Sequence, residues 1–431
     1  MTHADLHPGL SFRTLDPDDT PEEVLDGWWQ AMRRGFHEPR GQEAGRAAWL
    51  GAVRRDRITL RGAWEDAPPL GAGTMPVATM CSWDQTINLG TDPAAVVPLH
   101  MISDVTVSPA HRRRGLLRSL MTTDLADAAA AGVPLAALTV SEGSIYGRFG
   151  FGLATHVRHV EVDVTARFAL REPAYAAGRV VLVEPAEAWP AVVAVRDAVH
   201  RTGRGSVAMP AFYEPWLTGA LDPETGSPDP GVRTVVRLDE RGEPDGYAVY
   251  KVSPGEGRPG VVHISDLQAT GPGAYLELWR YLASLDLVDR ARWRKAPLDD
   301  PLPWALTDPL VVTTTKLDDL LWVRVLDVPR TLQARPWGAD GSVVVEVDDP
   351  MGYTAGRWRI TTSGGVAGVA EEPGAEPDLR LAADTLGSLV LGGVGVTTLA
   401  AAGRLAGSVE AVSRLAAMAE VGPAPYCSTG F

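Results

Sequence analysis

The run Arg112-Arg113-Arg114-Gly115-Leu116-Leu117 joins an apolar stretch, Val105 to Val107, to the start of an amphipathic pattern. It reads as a buried strand, a basic turn and a helix. Gly115 lets the backbone approach a ligand closely. The helix N-terminus presents free N–H groups, and its dipole favours a phosphate. Three arginines complete an anion cradle. A cradle at the end of a strand suits a diphosphate that carries an extended arm, which is the shape of an acyl-coenzyme A. The arm can lie along a splayed strand edge and take main-chain hydrogen bonds as an added strand would. In this reading the main chain at Val105 and Val107 holds the arm and polarises a thioester carbonyl. Arg112, Arg113, Gly115, Leu116 and Leu117 hold the pyrophosphate. Acyl transfer to an amine also needs a neutral nucleophile and a proton for the departing thiolate. Tyr146 follows a second expected strand, residues 135–140, and its phenol, near ~10, matches a thiolate better than a carboxylic acid does. A solvated charge run and a tyrosine packed in the core are the plainer readings of the same residues.

The turn resembles the acetyl-coenzyme A signature of the GNAT N-acetyltransferases, Arg/Gln-x-x-Gly-x-Gly/Ala, with Leu117 in the last, normally small, position. With Ser141-Glu142-Gly143-Ser144-Ile145-Tyr146-Gly147-Arg148-Phe149-Gly150, the chain looks like the "enhanced intracellular survival" acetyltransferases of actinobacteria. The resemblance spans nearly the whole sequence and is strongest over 105–152. It implies acetyl-coenzyme A as cosubstrate, no metal, and direct transfer to a primary amine in a ternary complex. It further implies aminoglycosides as acceptors, acetylated at several amines, and a homohexamer. Tyr146 becomes the general acid, and the C-terminal carboxylate on Phe431 the general base. A free α-carboxylate titrates near ~3.5, so Phe431 has to work by attracting and orienting the amine, through water. A frayed terminus is the alternative. Phe36, Glu38, Trp49 and Asp104 fall where such enzymes build the acceptor site, although a surface or core role is open to each. Gly430 leaves the penultimate position without a carboxylate. Protein lysines or polyamines are the other acceptors to weigh, and a lipid-binding or scaffolding protein is the alternative from a different class.

The elements that position these residues follow from periodicity. Val24, Leu25, Trp28 and Met32 mark a helix over 21–32, and 44–53 reads as a second. Strands are expected at 58–64, 73–83 and 95–107, and a 3.6-residue apolar stripe from Leu116 to Ala128 packs on them. A GNAT domain over residues 1–160, α/β with a mixed central sheet, is followed by a degenerate GNAT-like domain over 161–312. There Gly271-Pro272-Gly273 stands where an arginine turn belongs. A sterol-carrier-protein-like domain, 313–431, opens with strands at 320–328 and 342–347 and carries the tail to the active site. Segments 221–231, 296–303 and 371–377 read as linkers.

With 431 residues, 45% hydrophobic and 22% charged, there is ample core material for a soluble multidomain protein. No apolar run approaches ~20 residues, and the N-terminus lacks the pattern of a signal peptide. Two cysteines suit a reducing cytoplasm. The net charge of −14 argues against nucleic acid and is compatible with cationic substrates, or simply with solubility. His156 and His159 face opposite sides of an alternating strand, which disfavours a shared metal.

Overall fold

The apolar stretches of the first 155 residues build a mixed sheet. In the computed structural model, which describes residues 8–71, 73, 75–171, 178–222, 225–255 and 259–431, strand β1 (Leu10–Leu15) leads into α1 (Glu22–Gly35) and α2 (Glu43–Arg55). The N-terminal residues read for a signal peptide, 1–7, lie outside the described residues, as do 74 in the expected strand 73–83 and 223–224 in the first linker. Strands β2 (Thr59–Glu65), β3 (Ala78–Asn88) and β4 (Val96–Val107) pair antiparallel. Helix α3 (Leu116–Ala130) then crosses over to β5 (Leu135–Leu138), parallel to β4, and β6 (Gly152–Leu153) follows. All four residues of β5 are buried, as befits a parallel strand covered on both faces. Leu116, Leu120, Met121, Leu125 and Ala128 of α3 pack on the sheet, and Leu117 is half-buried beside them. That apolar contact is what a side chain larger than the signature's small residue gains. Strand β3 lies five residues later than expected because it continues to Asn88, opposite Val96, to complete the hairpin.

The second sheet begins at β7 (His156–Asp163). It continues through β8 (Arg179–Val183), α4 (Pro185–Thr202), α5 (Tyr213–Leu217), β9 (Arg233–Leu238), β10 (Pro244–Ser253) and β11 (Gly260–Ala269). Helix α6 (Pro272–Ala283) links β11 to its parallel neighbour β12 (Val288–Ala296), and α7 (Leu302–Ala305) precedes β13 (Val312–Asp319). The expected linker at 296–303 spans the irregular residues 297–301, with its ends in β12 and α7. The sheet order is β13-β7-β12-β11-β10-β9-β8.

Strand β14 (Trp322–Val325) corrects the expected domain boundaries. It pairs with β5 and β6, so the first sheet runs β1-β2-β3-β4-β5-β14-β6. Residue 160 falls inside β7 of the second sheet, and residues 312–325 complete the first two sheets rather than opening the third domain. The reason is edge protection: β5 needs a second partner, and Val323 and Val325 are fully buried in supplying it. Pairing between segments almost 190 residues apart leaves no local signature.

The third domain follows with α8 (Val328–Ala334), β15 (Gly341–Asp348), β16 (Gly356–Ser363), β17 (Val366–Glu371), β18 (Leu379–Ala382) and α9 (Ala383–Leu389). Helix α10 (Val396–Ala401), β19 (Leu405–Gly407) and α11 (Val409–Ala419) complete it, with strand order β17-β16-β15-β18-β19. It shares a core with the first domain: Leu135, Ala137, Val323 and Val325 join Leu332, Leu386, Leu389 and Leu415 in one cluster. At Gly152 a Cβ would overlap the carbonyl oxygen of Asp384, so the glycine two residues past the Tyr146 motif is a packing requirement between domains. A cavity of about 30 Å³ in this domain is walled by residues such as Val345, Ile360 and Leu415. That is room for a water molecule.

Candidate active site

Strands β4 and β5 pair from Leu99–Leu135 to Ile102–Leu138 and no further. Beyond Ile102 the strands part, and β4 carries a bulge: Thr79 of β3 opposes Thr106, while Cys81 opposes Ser103. Bulges redirect side chains and end pairing next to functional sites. Asp104 sits in this one with φ 53°, a left-handed conformation that a non-glycine residue holds only under constraint. Its carbonyl accepts from Thr79 Oγ1 at 2.8 Å, and its carboxylate accepts from the Cys81 thiol at 3.5 Å.

Past Val107 the chain reaches the cradle. Gly115 has φ 83° and caps α3, Arg113 is also left-handed at 62°, and Arg112, Arg113 and Arg114 are exposed. Among the described residues no carboxylate pairs with these three arginines, whereas the neighbouring His111 is 3.0 Å from Glu65. Leu116 is buried, so its main-chain N–H is what it can offer a ligand. The five cradle residues expected from sequence, with Val105 and Val107, thus form one continuous track from splayed strand to helix N-terminus.

At the other end of the track lies a cavity of about 510 Å³. Phe36, Glu38, Trp49, Asp104, Tyr146 and Phe431 all line it, although they come from the two N-terminal helices and their connection, a strand bulge, a turn and the end of the chain. Phe36 and Glu38 follow α1, and Trp49 lies on α2. Tyr146 precedes a single tight turn at Gly147–Phe149, is 8% exposed, and packs edge-on to Phe151. Burial, with the Glu142 charge adding to it, pushes its phenol up to about 12. Asp104 is raised to about 6 by burial, partly relieved by the Cys81 hydrogen bond and reinforced by the negative Glu38. Glu38 itself is paired with Arg33 at 3.0 Å.

Phe431 enters between the splayed strands. One oxygen of its terminal carboxylate accepts from the Thr139 hydroxyl just beyond β5, its N–H donates to Thr139 Oγ1 at 3.4 Å, and its ring meets Trp83 edge-on at 5.8 Å. The sequence reading missed Trp29, Trp83, Phe212 and Trp216 as cavity walls, and Thr139 as the contact to the tail. Phe212 and Trp216 are four apart at α5, a helical pair whose destination the sequence does not reveal. Beneath the sheet, Asp124 of α3 is fully buried and bonded to Arg61, Ser82 and His100. Despite burial, which lowers it, Asp124 and Asp84 push His100 up to about 9. His156 and His159 belong to no cluster of metal-ligating side chains among the described residues.

Comparison with known proteins agrees with this architecture. Two models described as acetyltransferase (GNAT) domains match residues 17–154 and 213–325, and a sterol carrier protein domain model matches 328–428. A tandem of GNAT folds closed by a sterol-carrier-type domain defines a GNAT-class N-acetyltransferase. An uncharacterized N-acetyltransferase of Streptomyces avermitilis is 36% identical over 447 residues, covering 97% of this chain and 99% of the relative. N-acetyltransferase Eis of Mycobacterium bovis is 35% identical over 325 residues, covering 74% and 77%. The crystal structure of Eis1 from Mycobacterium abscessus superposes with a TM-score of 0.80 at 26% identity, over 98% of this chain and all of that one. The chain belongs to the Eis family of N-acetyltransferases.

Proposed function

We propose that this N-acetyltransferase takes acetyl from acetyl-coenzyme A and passes it directly to a primary amine bound in the same complex. The observation that carries the reading is the continuous track described above: three unpaired arginines and the N-terminus of α3, then an unpaired strand edge, then a cavity holding Tyr146 and Phe431. The cradle supplies the charge a pyrophosphate needs. The freed N–H groups of β4 stand in line for an extended amide-bearing arm and for the carbonyl oxygen that becomes negative during attack. The carboxylate of Phe431 attracts the ammonium and receives its proton through water. The amine nitrogen then bonds to the carbonyl carbon, the C–S bond breaks, Tyr146 protonates the sulfur, and the second proton leaving the nitrogen restores the phenol through water. A phenol as weak as Tyr146 keeps its proton at neutral pH, so its transfer runs together with C–S cleavage.

The acceptor inherited from the family resemblance is an aminoglycoside. A second reading is favoured by the cavity wall, where eight aromatic side chains accompany only two side-chain carboxylates, Glu38 and Asp104. With Glu38 neutralised by Arg33, this wall suits one amine on an apolar body better than a polycation whose hydroxyls would lose water unpaired. Protein lysines and polyamines stand between the two.

Thiol release from acetyl-coenzyme A, measured with an aminoglycoside, a polyamine, a lysine peptide and a 2-arylethylamine, tests the proposal. Native protein is run beside Tyr146→Phe and a chain with one glycine appended after Phe431. Amine-dependent release that falls by about 10²-fold or more in both variants is expected. Full turnover in the extended chain rules out the carboxylate on Phe431, and full turnover in Tyr146→Phe rules out the phenol.

A further inference from the structure

The second domain presents a polar network to the chain's last residues that its own fold does not require. Arg196 of α4 and Asp266 of β11 form an ion pair at 2.5 Å, both under a tenth exposed, and Tyr247 of β10 donates to the same carboxylate. Despite burial, which raises it, Asp266 is held below the usual carboxylate range by Arg196. The second Arg196 nitrogen is not used inside the domain. It donates to Thr429 Oγ1 at 3.0 Å and lies 3.4 Å from Ser428 Oγ, and Thr429, 1% exposed, donates on to Val207 O at 3.1 Å. Gln268 of β11 donates to Ser428 Oγ at 2.8 Å, and Lys295 of β12 to Ser428 O at 2.9 Å.

The Tyr213 hydroxyl of α5 accepts from Gly430 N–H at 2.8 Å and donates to Gly430 O at 3.0 Å, fixing both main-chain groups of the penultimate residue. The Tyr213 ring lies between two cations, Arg196 at 5.2 Å and Lys295 at 5.6 Å. Of the last four residues, three are therefore held by the second domain and only Phe431 by the first.

We propose that the second domain serves as a register clamp for the C-terminal tail, with Tyr213 and the Arg196–Asp266 pair as positioning residues that set where Phe431 ends in the acceptor cavity. The proposal rests on the reading of Phe431 given above. A domain that presents Pro272 where the first presents an arginine cradle has thereby a direct part in the reaction. Displacements of about 1 Å in a reacting group cost on the order of 10²-fold in rate, and a terminal residue without such anchors frays.

Removing Arg196 alone strands a buried Asp266 and invites unfolding, so the test uses Tyr213→Phe, which keeps the ring between its cations, and the isosteric Thr429→Val. Two readouts are taken: steady-state kinetics, and hydrogen exchange of the peptide covering residues 426–431 in the free protein. Each variant is expected to lose about 10-fold or more in kcat, with KM for acetyl-coenzyme A within about twofold of native, while exchange of the tail quickens and that of β10 and β11 does not. Combining Tyr213→Phe with the appended glycine should cost no more than the glycine alone, because both displace the same group. Unchanged tail exchange in Tyr213→Phe overturns the clamp, as does a loss that multiplies fully with that of the extension. Should the extension and Tyr213→Phe both leave kcat intact although the tail loosens, the role of Phe431 falls, and the catalytic purpose of the clamp with it. A harmless Tyr213→Phe beside a damaging extension sinks the clamp only.

Discussion

Replacing Asp104 by Asn should stabilise the protein and cripple acceptor use. Asp104 titrates at about 6 against a usual value of 3.8. A carboxyl whose pKa is raised on folding binds protons more tightly in the native state, so stability falls as pH rises through and above the unfolded value. Two units at 1.36 kcal/mol each make the ionised native form about 3 kcal/mol less favourable at pH 7.5. At pH 5 most native molecules hold the proton while most unfolded ones do not, and the penalty is about half as large. Asn is nearly isosteric and accepts the left-handed conformation at φ 53° more readily. Asp104→Asn should therefore gain up to about 3 kcal/mol at pH 7.5 and about 1.5 kcal/mol at pH 5. The groups facing this carboxyl are the Cys81 thiol, Glu38 with its partner Arg33, and the tail at Phe431, none of which the substitution alters in charge. Urea unfolding at the two pH values measures the difference, and kcat/KM for an amine against pH supplies the functional half. In the native enzyme kcat/KM should rise as Asp104 ionises near pH 6, and that limb should vanish in the variant while KM for the amine climbs. Equal stability changes at both pH values would refute the reasoning, because they would show that Asp104 is not held above its ordinary pKa.

Three other outcomes are expected. Arg113→Ala, at the exposed cradle, should raise KM for acetyl-coenzyme A roughly 10-fold, steeply in salt, and leave kcat at saturation near native; steady-state kinetics at two ionic strengths checks this. Gly152→Ala forces a methyl into the Asp384 carbonyl, and the overpacking should cost about 3 kcal/mol or prevent folding, as thermal melts and soluble yield will show. Because the pKa of His100 is raised to about 9, its stabilisation is complete below its ordinary pKa and is lost as pH rises through 9. The melting temperature should drop between pH 7 and 10, and His100→Gln should flatten that drop.

What could be read from the sequence was contiguous. The cradle, the Tyr146 turn and the stripe of α3 each fit within a dozen or so residues, where spacing alone fixes geometry, and all lie where spacing put them. The expectation that Phe36, Glu38 and Trp49 border one site came from the family resemblance, and all three line the cavity. Long-range pairing was not legible. Residues 322–325 look like any short apolar strand, and nothing in them names β5 as a neighbour. The bulge at Asp104 arises from a register mismatch with β3, which no pattern in β4 alone reveals. Nor does α4 advertise that Arg196 reaches past its own ion pair to Thr429, since a buried arginine in a helix reads first as a core ion pair.

These same non-local features tie the three domains to the gap between β4 and β5. A GNAT sheet opens between β4 and β5 to admit an arm, and an opened sheet loses main-chain bonds at the point where catalytic geometry must be tightest. Here β14 covers the other side of β5, bringing Val323 and Val325 into the shared core and Arg324 into a buried ion pair with Asp349 of the third domain at 2.6 Å. The gap itself is entered by Phe431, anchored to Thr139. The third domain stiffens the strand that flanks the gap, and the second borders the tail that enters it. In that arrangement the sterol-carrier fold supports the first domain. Val345, Ile360 and Leu415 belong to the same apolar cluster as Leu135 and Ala137, and a ligand-sized cavity there would soften the wall on which β5 rests.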